Sequence, residues 1–130
     1  MINSLVELRN NDECIQGSFI YALHEEDCFD ERLYWKFYNS VLELSIYFGD
    51  KEHDPQITRM IIHTHNYFLK SLIWSYSPND ASRIKNLPHD KLHLYVERLC
   101  VRVEYGYFER QIVDEEGLNE DLMNPYYELN

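Results

Sequence analysis

The segment from Asp30 to Gly49 constrains the fold most, because an apolar stripe runs between a helix start signal and a stop signal. An aspartate is a good N-cap, since its side-chain oxygen accepts hydrogen bonds from free amides of the first turn. The apolar residues that follow are spaced by 4, 4, 3 and 4 positions, namely Leu33, Phe37, Val41, Leu44 and Phe48. That spacing places them on one helical face, and a glycine favours the C-terminal end. The segment therefore predicts a helix with one buried face.

Two further helices are predicted downstream. The dipeptide Asp54-Pro55 combines an N-cap with proline at the first helical position, where its missing amide is not needed. The inner face of this second helix is predicted to carry Ile57, Ile61, Phe68 and Leu72. A third helix, expected to be the longest, is predicted from about Pro88 to Val113, with an inner stripe of Leu92, Val96, Leu99 and Val103. Spacings of 4, 3 and 4 favour helix over strand in this valine-rich region.

These patterns predict an all-α fold. We expect a compact bundle of three long helices, with short helical pieces before it and an acidic C-terminal tail after it. A chain of 130 residues without repeats or a glycine-serine linker predicts one domain over residues 1–130. The tail, residues 114–130, is either frayed or held to the body by its tyrosines.

Charge is the strongest indication of function. The chain has a net charge of −11, and the acids are concentrated at its ends. Residues 1–31 carry 8 acids and 1 base, and residues 111–130 carry 6 acids and no base. Because phosphate binding requires a basic surface, this distribution disfavours nucleic acid and anionic membranes as partners. It favours a basic protein as the partner.

Two acidic stretches are candidate partner-binding surfaces. One reads LHEEDCFDERLYW from Leu23 to Trp35, and the other begins at Asp114. Runs of like charge stay in solvent and attract partners of opposite sign, whereas tyrosines provide apolar contact area with a polar tip. Both stretches also fit solvated surfaces without a partner. The candidate partner-binding residues are His24, Glu25, Glu26, Asp27, Asp30, Glu31, Asp114, Glu115, Glu116, Tyr126 and Tyr127.

Motifs for catalysis are weak, and we predict a protein that is not an enzyme. His89 and His93 have a helical i, i+4 spacing that can hold a metal ion if a third ligand joins them. This pair supports the alternative of a small metal-binding enzyme or sensor, although no zincin spacing surrounds it. The chain has four isolated glycines and no phosphate-binding loop. No catalytic residue, resident metal or cofactor is predicted.

The three cysteines and the N-terminus indicate a reducing compartment. Cys14, Cys28 and Cys100 are odd in number and irregular in spacing, so they predict neither a disulfide framework nor a zinc site. The first residues lack the basic and apolar regions of a signal peptide, and no later stretch has the length of a membrane span. We therefore expect a cytoplasmic protein, for which a third possibility is an acidic adaptor whose charged ends maintain solubility.

A family resemblance makes the partner more specific. The run from Gly17 to Leu44, with its acids after Leu23 and its aromatic residues around Tyr34-Trp35, resembles the N-terminal half of immunity proteins from contact-dependent growth inhibition systems. It is similar to immunity protein type 41, whose members resemble partners of EndoU-like toxin nucleases. The resemblance implies an immunity protein that binds a cognate basic nuclease toxin and blocks its RNA-cleaving site. It also implies that residues 24–27 contribute to the interface.

Overall fold

The computed structural model describes residues 2–78 and 83–126. All regular structure in these two ranges is helical and contains no strand, which confirms the all-α prediction. The helices are α1 (Ile2–Asp12), α2 (Phe19–His24), α3 (Glu31–Phe48), α4 (Pro55–Tyr76), α5 (Leu92–Cys100), a π-helix (Val101–Phe108) and α6 (Glu115–Leu118).

The predicted caps of α3 and α4 are present. Asp30 accepts a hydrogen bond from the Leu33 amide at 3.2 Å, and α3 ends at Gly49, which has φ of 53°. A positive φ suits glycine because it has no Cβ. Asp54 accepts hydrogen bonds from the amides of Gln56 and Ile57 before α4. Local signals were therefore sufficient to locate the two longest helices.

The third predicted helix is shorter and less regular than expected. It does not run from Pro88 to Val113 as one α-helix; it consists of the 9-residue α5 and the 8-residue π-helix that continues it. In the described ranges the longest helix is α4, with 22 residues. A π-helix bonds each amide one residue further back, so a stripe with a period of 3.6 residues does not reveal it.

An aromatic core fills the space between α2, α3, α4 and α5. The rings of Phe29 and Tyr95 are 5.3 Å apart, as are the rings of Phe19 and Phe68. Tyr34 lies between them and is fully buried, and its hydroxyl donates to the backbone carbonyl of Tyr95 at 2.7 Å. Edge-to-face contacts such as that of Phe29 and Tyr95 add about 0.5–1.5 kcal/mol each beyond burial. The core fixes the position of the chain just before α3.

The remaining contacts extend this core. Helix α1 packs on α3 and α4, and α3 packs on the π-helix. Asn11 near the end of α1 is fully buried, and its side-chain carbonyl accepts a hydrogen bond from the Ile20 amide at 3.0 Å. In the described ranges, none of the helices is both long enough and apolar enough to cross a bilayer.

Candidate functional site

The acidic loop, residues 24–31, joins α2 to α3 and is held by backbone hydrogen bonds. The Cys28 amide donates to the carbonyl of Ala22 at 2.9 Å. On its other side the loop pairs with Lys85, whose amide donates to the Asp27 carbonyl at 2.7 Å and whose carbonyl accepts from the Phe29 amide at 2.9 Å. These bonds hold the loop in one conformation although it lies at the surface.

Two further features fix the acidic loop. Phe29 is buried in the aromatic core, so the middle of the loop is anchored by a large apolar side chain. Asp27 and Asn86 have φ of 47° and 63°, the left-handed conformation that aspartate and asparagine tolerate better than most residues. The direction in which the acids point is therefore set by the core and by the segment 84–87.

Four of the five acids of the loop divide into two groups, and the fifth, Asp27, is half-buried. The first group also serves the fold: Asp30 caps α3, and Glu31 accepts a hydrogen bond from the indole of Trp35 at 3.4 Å. Burial, followed by the hydrogen bond to Glu31 and its charge, raises the pKa of Tyr95. The second group, Glu25 and Glu26, is exposed. These two carboxylates are the best placed to meet a partner.

An aromatic patch on α4 lies beside the acidic loop. The Tyr67 hydroxyl and His24 Nδ1 are hydrogen-bonded at 2.7 Å, and His24 Nε2 lies 3.5 Å from the Glu25 carboxylate. Burial, followed by the nearby Cys14, Asp27 and Glu25, raises the pKa of Tyr67 and keeps its hydroxyl neutral. The ring of Trp74 is 6.2 Å from Tyr67, and the Trp74 side chain is 48% exposed. The patch supplies the apolar surface that the acids lack.

The acidic C-terminal segment, residues 114–126, is arranged differently. The sequence predicts Glu115 at the surface of this segment, but the side chain is buried and is 6% exposed. Its carboxylate accepts from Arg98 at 2.8 Å, from Arg102 at 2.6 Å and from the Tyr38 hydroxyl at 2.6 Å. Glu115 is buried because two buried arginines require a carboxylate between them.

The rest of the segment is pinned to α5 and α3 through Asn119, Leu122 and Asn124. Arg98 Nη1 donates to Asn119 Oδ1 at 2.9 Å and to the carbonyl of Leu122. Asn124 Nδ2 donates to Asn39 Oδ1 at 2.7 Å. As far as residue 126, the tail is packed onto the body, with Leu122 and Asn124 buried.

The other predicted residues of this segment are at the surface. Asp114 caps α6 by accepting from the Gly117 amide at 3.0 Å, and both Asp114 and Glu116 are exposed. Tyr126 is also exposed, whereas Tyr127 lies outside the described residues. The segment therefore keeps exposed acids, but its central carboxylate stabilises the fold.

The network around Glu115 was missed by sequence reasoning. Burial and the hydrogen bond to Glu115 raise the pKa of Tyr38, so the phenol stays protonated and donates. Arg98 Nε donates to the same phenol oxygen at 3.1 Å. The available signal was the i, i+4 spacing of Arg98 and Arg102 next to the apolar stripe, which puts both on a face close to the core.

Within the described residues, no third ligand joins the histidine pair of the metal alternative. The Tyr76 hydroxyl and His89 Nδ1 are 2.5 Å apart, and His93 is exposed. Among residues 2–78 and 83–126, no three side chains of His, Cys, Asp or Glu come together as metal ligands. His65 is half-buried against Cys100, with 3.6 Å between Nε2 and Sγ, and burial lowers the pKa of His65.

No protein-family model, curated protein or solved structure gives a significant match to this chain. The resemblance to contact-dependent immunity proteins therefore stays a prediction.

Proposed function

We propose that this chain is a cytoplasmic, non-enzymatic immunity protein that binds a cognate basic RNase toxin domain and blocks its active site. The observation that carries the proposal is the acidic loop: Glu25 and Glu26 are exposed on a loop tied down by backbone bonds and by buried Phe29. A preorganised surface loses less entropy on binding than a flexible one. The same region resembles the immunity family.

The neighbouring aromatic patch supports a protein as the partner. Binding energy in protein interfaces is concentrated in a few large anchors, with tryptophan and tyrosine enriched among them. Trp74 and Tyr67 provide such anchors beside the acids, which provide steering toward a basic surface. We further propose that α3, α4 and the rod formed by α5 and the π-helix act as a three-helix bundle that supports the loop.

The proposal is tested with the product of the gene immediately upstream of this one. We expect binding that weakens as salt rises, together with inhibition of RNA cleavage by that product, because charge steering is screened over about 8 Å at physiological salt. Binding that strengthens with salt, or the absence of binding, would contradict the proposal that this protein inhibits the toxin by electrostatic attraction.

Paired variants locate the interface. Glu25→Lys with Glu26→Lys should lower the association rate by about 10-fold or more, since steering contributes about 10- to 1,000-fold. Glu116→Lys with Glu120→Lys makes the same charge change on the acidic C-terminal segment and should have a smaller effect. The reverse ranking would assign the interface to residues 114–126.

A second pair tests the aromatic patch. Trp74→Ala should weaken binding by about 2 kcal/mol or more if Trp74 is an anchor. Tyr47→Ala removes another exposed aromatic side chain from the far end of α3 and should leave affinity unchanged. Equal affinities of the two variants would show that the patch beside the acidic loop is not used.

A further inference from the structure

A cleft with a volume of about 300 Å³ lies between the C-terminal end of α3 and the chain that follows the π-helix. This volume is at the lower end of the range of about 300–1,000 Å³ that is usual for small-molecule sites. Its apolar walls are Leu42, Ile46, Ile112 and Val113, and Arg102 and Gly106 of the π-helix also line it. The acidic loop is at the opposite end of α3, so this cleft is separate from the surface described above.

The buried charges beside the cleft do not balance. Arg98, Arg102 and Glu115 are all buried, so the group carries two positive charges and one negative charge. Arg98 donates hydrogen bonds from Nε, Nη1 and Nη2. Its guanidinium also lies about 5 Å from two aromatic rings, at 5.0 Å from Trp35 and 5.1 Å from Tyr38. All three nitrogens of Arg98 therefore have hydrogen-bond partners, and the guanidinium with an incomplete set is that of Arg102.

Arg102 has an unused donor. Nη1 donates to Glu115, but Nε is buried and has no hydrogen-bond partner in the part of the chain that the structure describes. An unsatisfied buried donor is unfavourable, and more so when it belongs to a charged group. Gly106 leaves the space that the guanidinium occupies, since a Cβ at this position would overlap it. The side chain is thus held at the cleft by its surroundings.

We propose that this cleft binds a small organic monocarboxylate with an apolar body, and that Arg102 pairs with the carboxylate. The planar guanidinium matches the geometry of a carboxylate, and the apolar walls match a hydrocarbon group. Ile112, which is fully exposed, would cover that group.

The charge at the cleft favours a monoanion over phosphate. Arg110 and Asp50 also line it, and their opposite charges offset each other. The excess of one positive charge in the group of Arg98, Arg102 and Glu115 then remains, and one carboxylate neutralises it. A phosphate dianion would bring excess negative charge into a protein that already carries −11.

The test is a titration with benzoate, followed by nitrogen-15 NMR of the backbone and of the arginine Nε–H groups. We expect a saturable shift of the Arg102 Nε–H signal and of the Gly49 and Ile112 amides. Benzamide has the same shape without the charge and should bind at least about 10-fold more weakly. Equal binding of benzamide, tighter binding of inorganic phosphate, or no saturable shift would each overturn the proposal.

Two variants of the exposed residue Ile112 test the proposal without disturbing the fold. Ile112→Glu places a negative charge at the mouth of the cleft and should weaken benzoate binding by about 10-fold relative to Ile112→Gln. Both substitutions remove the same exposed apolar side chain, so they differ only in charge. Equal benzoate affinities would show that the carboxylate does not bind in this cleft. The outcome does not depend on the toxin, because no protein partner is present.

Discussion

The acidic loop and the acidic C-terminal segment have similar composition but use their carboxylates differently. In the acidic loop, the backbone is held by its own hydrogen bonds and by buried Phe29. Glu25 and Glu26 remain at the surface. In residues 114–126, the chain is fixed by a carboxylate, since Glu115 is buried between Arg98 and Arg102. Acidic composition therefore does not by itself identify a binding surface. What matters is whether the acids are needed to hold the local fold.

The largest expected effect comes from removing the buried charge. Glu115→Gln should lower the free energy of unfolding by about 3–5 kcal/mol, because it leaves two buried guanidinium groups without their counter-charge. Its neighbour gives a matched control: Glu116→Gln removes an exposed carboxylate and should change stability by less than about 0.5 kcal/mol. Urea denaturation of both variants measures the difference. Similar midpoints would contradict the structural role assigned to Glu115.

The second-largest effect on stability is expected from removing the Tyr38 hydroxyl in the same network. Tyr38→Phe removes the donor to Glu115 and the acceptor for Arg98 Nε, and should lower the free energy of unfolding by about 2 kcal/mol. Tyr105→Phe removes a hydroxyl from an exposed ring and serves as the control, with an expected change below about 0.5 kcal/mol. Equal changes would mean that the network does not depend on the phenol of Tyr38.

The asymmetry between the two regions was only partly predictable. The signals for α3 and α4 are local, since a cap, a period and a stop lie within one segment, and these helices were predicted correctly. The burial of Glu115 depends on residues 17 and 13 positions away, Arg98 and Arg102. The run of acids in the sequence does not show which carboxylate is buried. That depends on where α5 and the π-helix position the two arginines.

The segment 84–87 was equally hidden from sequence reasoning. It has neither an apolar stripe of helical period nor a run of like charges, yet its backbone pairs with the acidic loop. Only the position of Phe29 in an aromatic-rich stretch indicated that the loop is anchored to the core. Pairing between distant backbone segments depends on tertiary structure, so local propensity does not predict it.

A smaller effect is expected where that segment supports the acidic loop. Asn86→Ala should lower the free energy of unfolding by about 1 kcal/mol, because alanine is disfavoured at the positive φ of 63°. Faster hydrogen exchange of the Cys28 and Phe29 amides should accompany the loss. Asn86→Gly keeps the conformation accessible and is the control for the side chain. Unchanged exchange in the alanine variant would mean that the loop holds its conformation without this segment.

The smallest expected change in the free energy of unfolding comes from an exposed acid, Glu26, and its salt dependence distinguishes it from the buried Glu115. Glu26→Gln should raise the free energy of unfolding by a few tenths of a kcal/mol at low salt, because it relieves repulsion within the acidic loop. The gain should disappear at 1 M salt, where charges are screened over about 3 Å. The loss in Glu115→Gln should persist at that salt concentration, since buried pairs are screened much less. If Glu26→Gln instead destabilised the protein at both salt concentrations, the Glu26 carboxylate would be part of the fold, and the contrast between the two acidic regions would be lost.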